Sequence, residues 1–234
     1  MTDSRQRIAD NLAAVEERLG AACRRVGRAR SEVTLVAVTK TVSAETAALL
    51  PSLGVHDLGE SRPQELWHKA AVISAPVRWH LIGHLQRNKI ERTLPLIERI
   101  HSVDSVRLLD ALEATEAACG RTEPLPILLE VNASREASKH GFAPEDVPRL
   151  AGRLAELKHV RVEGLMTMAA HEDDAERTRP TFAALRALRD RLSAEMGRPL
   201  PHLSMGMSND FEIAIEEAAT LVRLGTVLFE GIEG

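Results

Sequence analysis

The chain has 234 residues, 44% of them hydrophobic and 27% charged, which is the composition of a globular domain with a large core. Its 30 basic and 34 acidic residues give a formal net charge of −4 without a basic block, so neither nucleic acid nor an anionic membrane is an expected partner. No apolar run reaches the length of a membrane span, and residues 1–5 lack a signal-peptide core, which predicts a cytoplasmic protein.

Helical and strand-like patterns of apolar residues alternate along the chain. A 3.6-residue period over residues 4–27 predicts an amphipathic N-terminal helix that ends at Gly27. Eight strand-like segments follow, at 33–38, 54–58, 77–82, 99–103, 125–131, 160–168, 201–205 and 221–224. Helices are predicted between them, at 43–53, 60–73, 86–97, 105–119, 144–157, 174–196 and 209–219.

This alternation predicts right-handed βαβ units and a parallel sheet. With eight units, we expect an α/β fold: a single (β/α)8 barrel of the TIM type over residues 1–234, with an extra N-terminal helix that could cover its bottom. An open, doubly wound sheet is the alternative. Cys23 and Cys119 lie on apparently helical apolar faces, where we expect them to be buried and unpaired.

In a barrel of this type, functional residues lie at the C-terminal ends of the strands. Lys40 follows the first strand, and its amine is expected at the barrel mouth against an apolar wall. Partial burial would favour the neutral amine, which is the nucleophile that attacks an aldehyde to form a Schiff base. A lysine that simply extends its ammonium group into solvent is the plainer interpretation of the same position.

The loops after the seventh and eighth strands are the usual phosphate site of such barrels. Residues 204–210 (SMGMSND) lead into a predicted helix, whose N-terminal N–H groups and dipole favour phosphate. Gly225 would let the backbone approach an anion closely, although each segment alone also fits an ordinary cap or turn. An inward-facing Arg223 would need an acceptor, and the ring nitrogen of a cofactor such as pyridoxal phosphate would serve.

Two histidines, His80 and His84, have a spacing that suits a metal only on a helix. Here they end a strand and Gly83 turns the chain, and no cysteine or carboxylate cluster completes a ligand set, so we predict no metal site. His171 and the acidic residues after it are interpreted as the charged start of a helix.

Seven segments carry a resemblance to a known family: 35–40 (LVAVTK), 59–65 (GESRPQE), 79–89 (WHLIGHLQRNK), 130–132 (EVN), 139–142 (KHGF), 164–168 (GLMTM) and 203–210 (LSMGMSND). Together they resemble the pyridoxal phosphate homeostasis protein family nearly from end to end. The resemblance implies a barrel similar to the N-terminal domain of alanine racemase, with pyridoxal 5′-phosphate held as a covalent aldimine on Lys40.

The resemblance also implies the roles of other residues. Ser208, Gly225 and Thr226 match phosphate-contacting positions, and Arg223 matches the arginine that faces the pyridine nitrogen. The further cofactor-binding residues expected around them are Ser61, Asn132, Met166, Ser204 and Met207. Ser61 stands where the family usually has asparagine, and the tail at 228–234 (LFEGIEG) departs from the family pattern, so no contact is carried over from that tail.

The family looks non-catalytic: it binds and buffers pyridoxal phosphate and affects vitamin B6 and amino-acid and keto-acid balance. A racemase of this fold needs a second acid or base opposite the lysine, which in the racemases resembled here is a tyrosine of another domain, and this chain has no tyrosine. We therefore expect a monomeric carrier or regulator without catalytic residues, whose candidate partners are apo enzymes that use pyridoxal phosphate.

Two enzymatic alternatives stay open on the sequence. The first is an amino-acid racemase-like enzyme in which His84 or His202 replaces the missing tyrosine. The second is a phosphate-sugar barrel enzyme that uses Lys40 as its Schiff-base lysine.

Overall fold

The computed structural model describes residues 2–134, 136, 140–170, 172 and 174–232. Within them, eight parallel strands close into a barrel in which each strand pairs with the next and the eighth pairs with the first. The strands are β1 (Thr34–Val38), β2 (Asp57–Glu60), β3 (Arg78–Leu81), β4 (Arg99–Val103), β5 (Leu125–Glu130), β6 (Val160–Met166), β7 (His202–Ser204) and β8 (Leu221–Leu224). The predicted (β/α)8 barrel is confirmed, and the open sheet is wrong.

Helices lie on the outside of the barrel, one before the first strand and the others between successive strands. They are α1 (Thr2–Arg25), α2 (Ala44–Ala47), α3 (Pro63–Val72), α4 (Ile90–Thr93), α5 (Val106–Cys119), α6 (Ala151–Ala155), α7 (Arg179–Met196) and α8 (Phe211–Glu216). Short 3-10 turns lie at Arg30–Glu32, Pro51–Leu53, Arg87–Lys89, Leu94–Leu96, Pro148–Leu150 and Ala175–Thr178.

Several helices are shorter than the sequence predicts. The expected helix 43–53 is α2 followed by a 3-10 turn that begins at Pro51, and the expected helix 86–97 is α4 between two such turns. Proline removes a backbone donor and clashes with the preceding turn, so it interrupts a helix that apolar periodicity alone would continue. Strand β2 begins at Asp57 and not at residue 54, because Gly54 ends the preceding turn with a φ of +83°.

The N-terminal helix is present, but the suggestion that it covers the bottom of the barrel is wrong. It packs alongside α8, where Arg18 and Arg25 pair with Glu212 and Arg25 also pairs with Glu216. Cys23, on the inner face of this helix, is buried as expected, whereas Cys119, at the end of α5, is exposed and not buried as predicted. The sequence segments at Lys139, His171 and Asp173 lie outside the described residues.

Candidate functional site

A cavity of about 430 Å³ opens at the C-terminal end of the barrel strands. Loops after β1, β2, β3, β6, β7 and β8 form its walls. Most of the binding residues expected from the sequence line it: Lys40, Ser61, Met207, Ser208, Arg223, Gly225 and Thr226. These residues lie at or after the ends of four strands, β1, β2, β7 and β8, so only closure of the barrel brings them together.

Lys40 lies at the mouth of the cavity, directly after the end of β1. It is exposed, so the expectation that an apolar wall partly buries it is wrong. The backbone before it is held firmly: the Thr39 N–H donates to the Gly59 carbonyl at 3.0 Å, and the Lys69 Nζ donates to the Thr39 carbonyl at 2.6 Å. These two hydrogen bonds fix the backbone of Thr39, and with it the position from which the Lys40 side chain extends.

The support under Lys40 is a fully buried ion pair that sequence reasoning missed. Lys69 Nζ lies 2.5 Å from Glu60 Oε1, which also accepts a hydrogen bond from the Thr39 hydroxyl at 2.8 Å. Glu60 Oε2 accepts from the Ser61 N–H at 3.2 Å. The spacing of Lys69 three residues after the buried Leu66 is the signal that could have placed this lysine on the inner face of α3.

The loops after β7 and β8 meet to form a cup. Ser208 and Thr226 line it with their hydroxyl groups, and the Ser208 Oγ also accepts from the Val227 N–H at 3.5 Å. A Cβ at Gly225 would lie 3.0 Å from the Val38 carbonyl oxygen, so glycine allows the close approach of β8 to β1. Helix α8 has only six residues, so the hydroxyls and the backbone near Gly225 form the cup more than a helix dipole does.

Arg223 closes the floor of the cavity and is 4% exposed. Its Nη1 donates to the Ser204 Oγ at 2.6 Å and its Nη2 to the Thr167 carbonyl at 2.9 Å. Burial lowers the pKa of Arg223 to about 10, opposed by the negative charges of Asp210 and Glu130. The guanidinium therefore remains a cation at neutral pH, and it faces inward, a direction that the sequence left open.

Three of the expected binding residues do not line the cavity. The Asn132 side-chain amide donates to the Glu136 carbonyl at 2.8 Å and so helps to shape its own loop. Met166 lies inside the barrel in an apolar cluster, and Ser204 lies beneath Arg223 as its hydrogen-bond acceptor. Residues 228–232 of the atypical tail do not line the cavity either, and Asn11 of α1 donates to the carbonyls of Leu228 and Glu230.

The two histidines considered for a metal have separate surroundings. His80 is buried inside the barrel, whereas His84 is exposed at the rim, where its Nδ1 lies 2.9 Å from Asp104 Oδ2 and its ring stacks on His140. In the part of the chain that the structure describes, no group of three or more metal-ligating side chains converges. None of the described helices is long and apolar enough to cross a membrane.

The fold and the cavity define a (β/α)8-barrel ligand-binding protein with a lysine at its mouth, an arginine at its floor and a hydroxyl-lined cup. The family model for the alanine racemase N-terminal domain matches residues 7–232. The chain belongs to this family and, within it, to the group of the pyridoxal phosphate homeostasis proteins.

Individual relatives match over almost their whole length. The pyridoxal phosphate homeostasis protein of Aquifex aeolicus is 41% identical over 221 residues, 94% of this chain and 96% of the relative. That of Pseudomonas aeruginosa is 41% identical over 223 residues, covering 95% and 94%. The structure of PipY from Synechococcus elongatus, solved with pyridoxal phosphate bound, superposes with a TM-score of 0.83 at 31% identity, covering 95% of this chain and 99% of PipY.

Proposed function

We propose that this protein binds pyridoxal 5′-phosphate and acts as a non-catalytic carrier, buffer or regulator in intracellular pyridoxal phosphate homeostasis. The observation that carries the proposal is that Lys40, Arg223 and Ser208 line one cavity. An amine, a guanidinium and a hydroxyl cup suit the three functional groups of this cofactor: an aldehyde, a pyridine nitrogen and a phosphate. The family assignment supports the same ligand.

The residues present fit the cofactor. The cavity volume of about 430 Å³ falls within the range of about 300–1,000 Å³ that is usual for small-molecule sites. Bound pyridoxal phosphate supplies an aldehyde that condenses with amines. Lys40 would hold it covalently, the Ser208 hydroxyl and the backbone at Gly225 and Thr226 would bind its phosphate, and Arg223 would donate to its ring nitrogen.

The same residues argue against efficient catalysis. An arginine that donates to the ring nitrogen disfavours protonation there and so weakens the ring as an electron sink. The histidines that might replace a racemase tyrosine do not line the cavity: His84 pairs with Asp104 at the rim, and His202 Nδ1 lies 3.2 Å from Thr220 Oγ1. Burial, helped by Arg99, lowers the pKa of His202 to about 4. We propose that neither histidine acts as a second acid–base residue opposite Lys40.

A carrier must release what it holds. Lys40 is exposed at an open mouth, so an incoming amine or the lysine of a recipient apo enzyme could reach the site. We propose that the protein works as a monomer in the cytoplasm and that apo enzymes which use pyridoxal phosphate are its partners.

The covalent link is tested by adding pyridoxal phosphate to the purified protein, reducing with borohydride and mapping the modified peptide. We expect a visible absorption band and modification of Lys40, with both lost in Lys40→Ala. Lys89→Ala, in the neighbouring surface depression, is the matched control and should keep both. Modification of Lys69, Lys89 or Lys158 in place of Lys40 would refute the assignment.

The phosphate cup is tested with Ser208→Ala. Loss of one hydrogen bond to a charged group costs about 1.5–3 kcal/mol, so the dissociation constant should rise roughly ten-fold or more. Pyridoxal without its phosphate should bind much more weakly than the phosphate ester. Equal affinity for the two would place the phosphate elsewhere.

The carrier role is tested by mixing the loaded protein with an apo enzyme that uses pyridoxal phosphate. We expect the activity of that enzyme to return, with Lys40→Ala protein a much poorer donor. In D₂O with alanine or serine, we expect α-proton exchange no faster than free cofactor gives. Rapid stereospecific exchange that depends on Lys40 would restore the racemase-like alternative.

A further inference from the structure

A chain of buried polar side chains runs through the barrel interior to Arg223. It begins at Asp57, at the start of β2, whose Oδ1 lies 3.0 Å from His80 Nε2. His80 Nδ1 lies 2.9 Å from His101 Nε2, and His101 Nδ1 lies 2.8 Å from the Ser204 Oγ. The Ser204 Oγ is the atom to which Arg223 donates at 2.6 Å. The links join β2, β3 and β4, and from β4 they cross the barrel to β7 and β8.

Chemistry assigns one direction to every hydrogen bond in this chain. Burial alone would raise the pKa of Asp57, but hydrogen bonds from His80 and Arg78 outweigh it and hold that pKa below its ordinary value. The carboxylate is therefore ionised and can only accept, so His80 carries its proton on Nε2 and presents Nδ1 as an acceptor.

The protonation of His80 also fixes the direction of the remaining hydrogen bonds, from His80 to Arg223. His101 must donate from Nε2 to His80, and its Nδ1 then accepts from the Ser204 hydroxyl. That hydroxyl has its lone pairs free for the Arg223 guanidinium, which can only donate. Burial lowers the pKa of both histidines, which keeps each imidazole neutral as this arrangement requires.

The interior of a TIM barrel is normally filled by branched apolar side chains in layers. Here His80, His101 and Ser204 are each at most 1% exposed and take the place of such side chains. Apolar replacements of similar size would fill that space without the cost of burying polar groups. What the polar set adds is a fixed acceptor for the guanidinium at the cavity floor.

We infer that Asp57, His80, His101 and Ser204 are positioning residues for Arg223, and that the charge of Asp57, at the opposite end of the barrel from the cavity, sets the polarity of the whole chain. The inference rests on the proposed function for the ligand that Arg223 meets. None of the four residues lines the cavity, so they act on the ligand only through Arg223.

The first experiment measures the tautomers directly, without ligand. Side-chain ¹⁵N NMR of the full-length protein should find His80 and His101 neutral, with the proton on Nε2 of each ring. Asp57→Asn provides a donor as well as an acceptor, so it should release the constraint and change the Nδ1 and Nε2 shifts of His101, although His101 does not touch residue 57. A His101 proton on Nδ1 in the wild type, or an unchanged His101 in Asp57→Asn, would overturn the inference.

The second experiment measures the effect on the ring nitrogen. In Asp57→Asn, the dissociation constant for pyridoxal phosphate should rise roughly three- to ten-fold, a coupling of the size usual within one hydrogen-bond network. For the analogue in which carbon replaces the ring nitrogen, 1-deazapyridoxal phosphate, wild type and variant should bind alike. Equal weakening of both ligands would mean that Asp57 acts only on the fold.

Glu163→Gln is the matched control. Glu163 is a part-buried carboxylate of β6 that pairs with Arg99 and Arg161, neither of which belongs to the hydrogen-bonded set from Asp57 to Arg223. The substitution should leave the His101 shifts and the ratio of the two ligand affinities unchanged. If Asp57→Asn does not fold, Ser204→Ala cuts the link next to Arg223 and should reproduce the selective loss of pyridoxal phosphate affinity. A wild type that binds no pyridoxal phosphate would refute the proposed function, while the NMR measurement would still decide the positioning chain.

Discussion

Between the strands and the helices the barrel buries mainly leucine, isoleucine and valine, whereas inside the barrel it buries a connected set of histidine, serine and arginine. Each side of the barrel wall also has exceptions, which in the outer layer include the buried polar residues Thr93 and Glu116. The outer layer contains the charged pair of Glu60 and Lys69, and the interior contains an apolar cluster of four side chains: Val36, Leu128, Met166 and Leu221.

The comparison shows which residues the buried polar groups hold in place. The outer pair fixes the carbonyl of Thr39, next to Lys40, and the inner chain ends on Arg223. These two buried polar sets therefore support residues of one cavity, while the apolar groups hold the barrel together. Four predictions test this division, from the largest expected effect to the smallest.

Lys69→Met should be the most damaging change to the outer layer. It leaves the buried Glu60 carboxylate without its cation, and breaking a buried ion pair in this way typically costs about 3–5 kcal/mol. Urea unfolding measures the loss, with the exposed Lys158→Met as control, for which a change within about 0.5 kcal/mol is expected. A loss below about 1 kcal/mol would contradict the assigned support of Thr39.

Leu129→Ala tests the apolar part of the outer layer. Leu129 is fully buried, and such truncations cost about 2–5 kcal/mol in the free energy of unfolding. Because Leu129 does not line the cavity, the pyridoxal phosphate affinity of the folded variant should stay close to that of the wild type. Leu96→Ala, at a more exposed leucine, is the control for stability. Weakened binding without a loss of stability would mean that the apolar outer layer also determines the shape of the cavity.

Acid should destabilise the protein through its buried histidines. Burial lowers the folded-state pKa of His80 and His101, and that of His202 to about 4, whereas in the unfolded chain all three have a pKa of about 6.5. Between these values the unfolded state binds more protons, so stability is complete above about pH 6.5 and falls as the pH decreases.

Each buried histidine contributes at most about 1.4 kcal/mol per pH unit in that window. Urea unfolding between pH 7 and pH 4.5 measures how steeply the free energy of unfolding falls with decreasing pH. His202→Gln should reduce this slope by the contribution of one histidine. An equal slope in wild type and His202→Gln would show that the folded protein accepts a charged imidazole at this position.

Met166→Leu should have the smallest effect. The residue belongs to the interior apolar cluster, and a swap that conserves volume usually costs less than about 1.5 kcal/mol. The affinity for pyridoxal phosphate should be unchanged, since Met166 does not line the cavity. A clear loss of affinity would restore Met166 to the set of cofactor contacts that the family resemblance suggested.

By itself, the sequence determined the eight alternating units and most of the cavity. Alternating strand and helix patterns predict right-handed parallel units, and eight such units favour a closed barrel, but only the structure excluded the open sheet. Active-site residues of such barrels follow the strands, so Lys40, Ser208 and Arg223 could be assigned from their places in the pattern and from the family segments. Helix lengths were less accurate, because prolines interrupt segments whose apolar period continues.

Only the tertiary structure decided which polar residues meet inside the barrel. His80 and His101 come from neighbouring strands, and Ser204 lies across the barrel more than 100 positions away along the chain. Strand register and the inward direction of each side chain set such contacts, and a shift of one residue would turn each of them outward. The burial of Lys69 against Glu60 likewise depended on the packing of α3 on the barrel, because the spacing from Leu66 indicates the inner face of the helix but not the partner of the lysine. The exposure of Lys40 was also decided only by the tertiary structure.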